Sequence, residues 1–219
     1  MWPQTIIESL ESKIVAVVVF EREQDAVPTA RALARGGITC IEPTLRTDAA
    51  PAVLRAILRE VPEMTVGAGT VLSPDQVRLV RQIGVQFAVA PGCNPEVVTA
   101  AAEADLPFAP GVATPSEIEA AHGRGCGVLK LFPATALGGP AYLKSVSAAY
   151  RHLGLRFIPT GGVTAETMVD WLAMPEVLAV GGSWLAPAAL LLEENWDEIE
   201  RRARDAVERA KSVKGVRSA

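Results

Sequence analysis

The run Ile14-Val15-Ala16-Val17-Val18-Val19-Phe20 decides how this chain folds. It is apolar throughout, mostly β-branched, and it stops at Glu21-Arg22-Glu23. It is far shorter than the roughly 20 residues that span a bilayer. No small-x-small cleavage site follows it, so it does not read as a signal peptide. A strand apolar on both faces belongs in a parallel sheet covered by helices.

Working outward, the same short runs recur, each followed by a stretch of helical periodicity. The expected strands are Ile14–Phe20, Ile38–Glu42, Thr65–Gly67, Phe87–Ala90, Phe108–Ala109, Val128–Leu131, Arg156–Pro159 and Leu178–Val180. Helices are expected to begin near Gln24, Asp48, Ser73, Asn94, Thr114, Gly139, Thr164 and Asn195. Ser73-Pro74-Asp75, Asn94-Pro95-Glu96 and Thr114-Pro115-Ser116-Glu117 are helix starts: the cap oxygen takes a free N–H, and Pro tolerates the first helical position. The last segment, Asn195 to Lys211, reads as an amphipathic helix with Trp196, Ile199, Ala203, Val207 and Ala210 on one face. Eight βα pairs in 219 residues, with no Ser/Gly linker, predict one domain over 1–219. The expected fold is α/β, a single (β/α)8 TIM barrel with a parallel eight-stranded core. A doubly wound open sheet fits less well, because no G-x-G-x-x-G follows the first strand.

Composition narrows the function. A net charge of -4 gives no electrostatic reason to bind nucleic acid or an anionic membrane. Three scattered cysteines, Cys40, Cys93 and Cys126, predict neither a disulfide framework nor a zinc site and fit the reducing cytoplasm. The two histidines, His122 and His152, lie in no metal-ligand pattern.

In such a barrel the chemistry lies at the C-terminal ends of the strands. Lys130 sits in Gly127-Val128-Leu129-Lys130-Leu131-Phe132-Pro133, an apolar strand. Burial there disfavours the charged ammonium and favours a neutral amine, able to attack a carbonyl. A lysine held in a structural ion pair is the other reading of the same residue. Glu42 and Arg46, in Ile41-Glu42-Pro43-Thr44-Leu45-Arg46-Thr47, are a candidate acid/base and a candidate carboxylate clamp. They could instead pair with each other at the rim. Gly67-Ala68-Gly69-Thr70-Val71 lets backbone approach a ligand and adds the Thr70 hydroxyl. Thr160-Gly161-Gly162 and Gly181-Gly182-Ser183 carry glycine pairs in matching places after the last two strands, where barrels bind phosphate.

Seven motifs in order carry a resemblance: IEPTLRT (41–47), VGAGTVLSPDQ (66–76), APG (90–92), PGVATPSE (110–117), LKLFPA (129–134), PTGGV (159–163) and VGGSWLAP (180–187). The chain resembles the class I 2-keto-3-deoxy-6-phosphogluconate (KDPG) aldolases, including those acting on 4-hydroxy-2-oxoglutarate (KHG). The resemblance implies a homotrimer without metal or organic cofactor, acting on a phosphorylated 2-keto acid and on pyruvate. It places Lys130 as the Schiff-base lysine and Glu42 as the acid/base acting through water. Arg46 and Thr70 match residues that hold the pyruvate carboxylate. Phe132 and Pro91 match residues of the pyruvyl pocket. Thr160, Gly161, Gly162, Gly182 and Ser183 fall on the phosphate loops. Pro43 departs from the gluconate pattern and brings in the phosphogalactonate aldolases as an alternative. A phosphosugar isomerase or epimerase shares the phosphate loops but has no need of Lys130. A non-catalytic phosphate-binding barrel has no use for Lys130 and Glu42 together.

Overall fold

The computed structural model describes residues 2–10 and 12–213. The expected single domain also takes in residues 1, 11 and 214–219, which lie outside the described residues. The strands are β1 (Ile14–Val18), β2 (Cys40–Pro43), β3 (Thr65–Ala68), β4 (Phe87–Val89), β5 (Phe108–Ala109), β6 (Gly111–Val112), β7 (Val128–Leu131), β8 (Arg156–Pro159) and β9 (Val180–Gly182). The helices are α1 (Gln4–Ser9), α2 (Ala26–Arg35), α3 (Ala50–Glu60), α4 (Pro74–Ile83), α5 (Pro95–Glu103), α6 (Pro115–His122), α7 (Gly139–Ser147), α8 (Met168–Leu172), α9 (Ala188–Leu192) and α10 (Trp196–Ser212).

The expected closed eight-stranded TIM barrel is corrected by the strand pairing. The strands form two parallel sheets, one of six in the order β5-β4-β3-β2-β1-β9 and one of three in the order β6-β7-β8. The cause at one seam is Pro110, which has no N–H and stands between β5, which is the expected fifth strand, and a further strand, β6, that the sequence reading did not expect. On one side of it Val89 pairs with Ala109, and on the other Gly111 pairs with Lys130. At the other seam β8 meets the β9 segment only in isolated bridges, Phe157 with Val177 and Thr160 with Gly181. Gly161 and Gly162 leave Thr160 at φ of 95° and 79°, a left-handed turn that ends the extended backbone there.

The helix starts follow the caps. Ser73 Oγ accepts from the Gln76 N–H at 3.2 Å, and Asn94 Oδ1 accepts from the Glu96 N–H at 3.0 Å. Thr114 and Glu117 form a reciprocal capping box, the Glu117 carboxylate accepting from the Thr114 N–H at 2.8 Å. In α10, Ile199, Ala203 and Ala210 are buried as expected, and Ala203 lies against Gly36 beyond α2. Two short helices, α1 and α9, have no counterpart in the sequence reading.

Alternation along the strands sorts the core into two layers. Ile41, Leu129 and Leu131 pack toward the helices. Their neighbours Cys40 and Val128 face the other way, with Val15, Phe87 and Ile158. Trp2, Ile6 and Leu10 join that second cluster from the N-terminal segment around α1, and the Trp2 ring lies 5.1 Å from that of Phe87. Two residues further along β2 and β7, on the same face as Cys40 and Val128, stand Glu42 and Lys130.

Candidate active site

Glu42 and Lys130 come from different sheets and meet. Lys130 Nζ donates to Glu42 Oε1 at 2.9 Å, with the two residues 6% and 2% exposed, lysine first. Charges this deep persist only when paired, because each alone loses most of its hydration. The arrangement follows from register: β7 is held between β6 and β8, and β2 between β1 and β3, so neither side chain can leave its face.

The surroundings fit around this pair. A Cβ added to Gly69 would fall 2.3 Å from Glu42 Oε1, so the carboxylate occupies space that only glycine leaves open. Phe132 places its ring centroid 6.0 Å from Lys130 Nζ, at the outer limit of a cation–π contact. The chain leaving β7 is tied to the chain leaving β8, with Ala134 N–H donating to Thr160 O and Thr135 N–H to Gly161 O. Pro91 closes the exit of β4, its backbone pressed against Gly111, which pairs in turn with Lys130.

Arg46 is exposed, and its Nε donates to Thr70 Oγ1 at 3.3 Å. Thr70 takes this position at φ 59°, left-handed backbone that costs a non-glycine residue about 1–3 kcal/mol. A rim pair between Glu42 and Arg46 is not what forms: Glu42 pairs with Lys130, and Arg46 with Thr70. Pro43 does not break β2. Its carbonyl accepts from the Gly69 N–H at 2.9 Å, and the pairing runs on to Thr44.

Thr160 is buried, with Gly161 half-buried and Gly162 exposed beside it. Across from them Gly181 leaves room for Thr160 Oγ1, and Gly182 is buried while Ser183 is exposed. The two glycine loops thus adjoin, as an anion pocket requires. Sequence reasoning treated Gly69 only as a small loop residue and passed over Thr44. Their signal was spacing: Thr44 stands two residues after Glu42, hence on its face.

A buried amine against a carboxylate at the C-terminal ends of parallel strands, with paired glycine loops beside it, is the layout of an enzyme that reacts through lysine. The chain belongs to the family described as KDPG and KHG aldolase, whose model matches residues 6–202. It is 43% identical over 198 residues to the KHG/KDPG aldolase of Escherichia coli (strain K12), covering 90% of this chain and 92% of that one. It is 42% identical over 199 residues to the 2-dehydro-3-deoxy-phosphogluconate aldolase of Pseudomonas aeruginosa, covering 91% and 90%. Among solved structures it is similar to the KDPG aldolase of Legionella pneumophila with pyruvate captured at low pH as a covalent carbinolamine intermediate. The TM-score is 0.86 at 36% identity, covering 90% of this chain and 95% of that one.

Proposed function

We propose that this chain is a Schiff-base aldolase, a lyase that cleaves KDPG to pyruvate and glyceraldehyde 3-phosphate, and KHG to pyruvate and glyoxylate. The observation that carries the reading is the buried Lys130–Glu42 contact at 2.9 Å in a chain of this family. When the keto acid enters, a proton passes from the Lys130 ammonium to Glu42 along that hydrogen bond. The freed amine attacks the C2 ketone to give a carbinolamine, and Glu42 returns its proton to the C2 hydroxyl, which leaves as water to give an iminium. Glu42, through water, takes the proton of the C4 hydroxyl. The C3–C4 bond breaks, its electrons pass into an enamine on Lys130, and the aldehyde leaves. Protonation at C3 and hydrolysis then free pyruvate.

Arg46 and Thr70 are assigned to the substrate carboxylate, supported by their mutual contact at the rim. Phe132 and Pro91 are assigned to the pyruvyl group, and Thr160, Gly161, Gly162, Gly182 and Ser183 to the phosphate. Pro43 leaves β2 continuous and Glu42 in contact with Lys130, and the gluconate epimer is supported by relatives of that name at 42–43% identity. One domain, a homotrimer and a cytoplasmic location complete the reading. The location is supported by three free cysteines, two of them buried. The test is a coupled assay for pyruvate release from KDPG, its galactonate epimer and KHG. Preference for KDPG is expected. Equal inertness toward all three would remove the reading.

A further inference from the structure

Thr44 is 1% exposed, and its Oγ1 is buried with no hydrogen-bond partner among the described residues. Leaving a buried hydroxyl unpaired costs about 1–3 kcal/mol, so its place needs a reason. Two observations fix where it points. It follows Glu42 by two residues on one extended segment, hence on the same face. It also pairs with Gly69, the residue whose Cβ direction ends on Glu42 Oε1.

The other buried or half-buried threonine hydroxyls lining the site have partners, and Thr70 stands with Arg46 in the clamp assigned above to the substrate carboxylate. Thr160 Oγ1 donates to Ile158 O at 3.4 Å, and Thr70 Oγ1 accepts from Arg46. Gly69, Pro91 and Phe132 bring no side-chain donor. Attack by the amine places negative charge on the C2 oxygen of the keto acid, and this oxygen needs a donor that the carboxylate clamp does not supply.

We propose that Thr44 is a catalytic residue whose hydroxyl donates a hydrogen bond to the C2 oxygen of the bound keto acid. It stays on that oxygen through the carbinolamine. In the carbinolamine one proton of the attacking nitrogen has passed to that oxygen, making it a hydroxyl, and Glu42, carrying the proton received from Lys130, then protonates the hydroxyl. The C2–O bond breaks, water departs with that bond's electrons, and the nitrogen lone pair forms the iminium. This assignment rests on the aldolase reading above.

The test compares wild-type, Thr44→Val and Thr44→Ser proteins in KDPG cleavage, in the rate of borohydride trapping with pyruvate, and in thermal unfolding. Thr44→Val keeps the shape and removes the hydroxyl. It is expected to lower kcat and the trapping rate roughly 10²-fold, with KM little changed. Its melting temperature should be unchanged or raised, because an unpaired buried polar group is gone. Thr44→Ser should recover most of the rate. Wild-type rates in Thr44→Val, or equal losses in the valine and serine variants, would overturn the assignment while leaving trapping of the wild type intact. Wild type that cannot be trapped at all would overturn the aldolase reading and this assignment with it.

Discussion

The two ends of the strands are built to opposite rules. At the N-terminal end Val15, Cys40, Phe87 and Val128 pack with Trp2, Ile6 and Leu10 into a plug that is apolar except for the Trp2 indole N–H, buried without a partner among the described residues. At the C-terminal end, one step along the same faces, the plug gives way to a buried ion pair, an unpaired hydroxyl and a left-handed threonine. Each of those three features costs stability. The molecule therefore gains its cohesion at one end and holds its chemistry at the other, and substitutions at the two ends should separate the two properties.

The largest expected effect is at the chemical end. Lys130→Ala should lower cleavage on the order of 10⁴-fold or more in kcat, since nothing else can form the imine. Steady-state pyruvate release checks this, and circular dichroism should show the fold retained. Gly69→Ala should lower kcat about 10²-fold by driving a methyl group into the Glu42 carboxylate, with binding of pyruvate retained. At the plug the expectation reverses. Trp2→Ala removes a ring packed on Phe87 and should cost roughly 3 kcal/mol in denaturant unfolding while leaving kcat near wild type. A matching loss of activity would break the division between the ends. The smallest effect sharpens it within the site: Ser183→Asp should raise KM for KDPG roughly tenfold, about 1.4 kcal/mol, and leave KM for KHG unchanged.

Much of this division is legible in the sequence. The alternation of Val128 and Lys130 with Leu129 and Leu131 puts a charge on an otherwise apolar face, and Glu42 follows Cys40 in the same way. The cap signals at Ser73, Asn94 and Thr114 are local, so they survive folding unaltered. What the sequence hides is pairing across distance. Pro110 announces a missing N–H, but not that the ladders on its two sides belong to different sheets. The segment Leu178–Val180 is apolar enough for a strand, yet the strand begins at Val180, because the register with Ile14 is set by β1 and not by local composition. The N-terminal plug was missed because α1 is short and its apolar residues Trp2, Ile6 and Leu10 gain their meaning only from the strand ends they cover. Thr44 lay in plain view beside Glu42; that its hydroxyl goes unpaired is a property of the packed site alone.

Borohydride reduction of the protein in the presence of pyruvate, followed by peptide mass mapping, tests the central claim most directly. A reduced pyruvyl adduct on Lys130, absent when pyruvate is omitted, is the predicted result. Pyruvate bound without any adduct, or an adduct on another lysine, would contradict it.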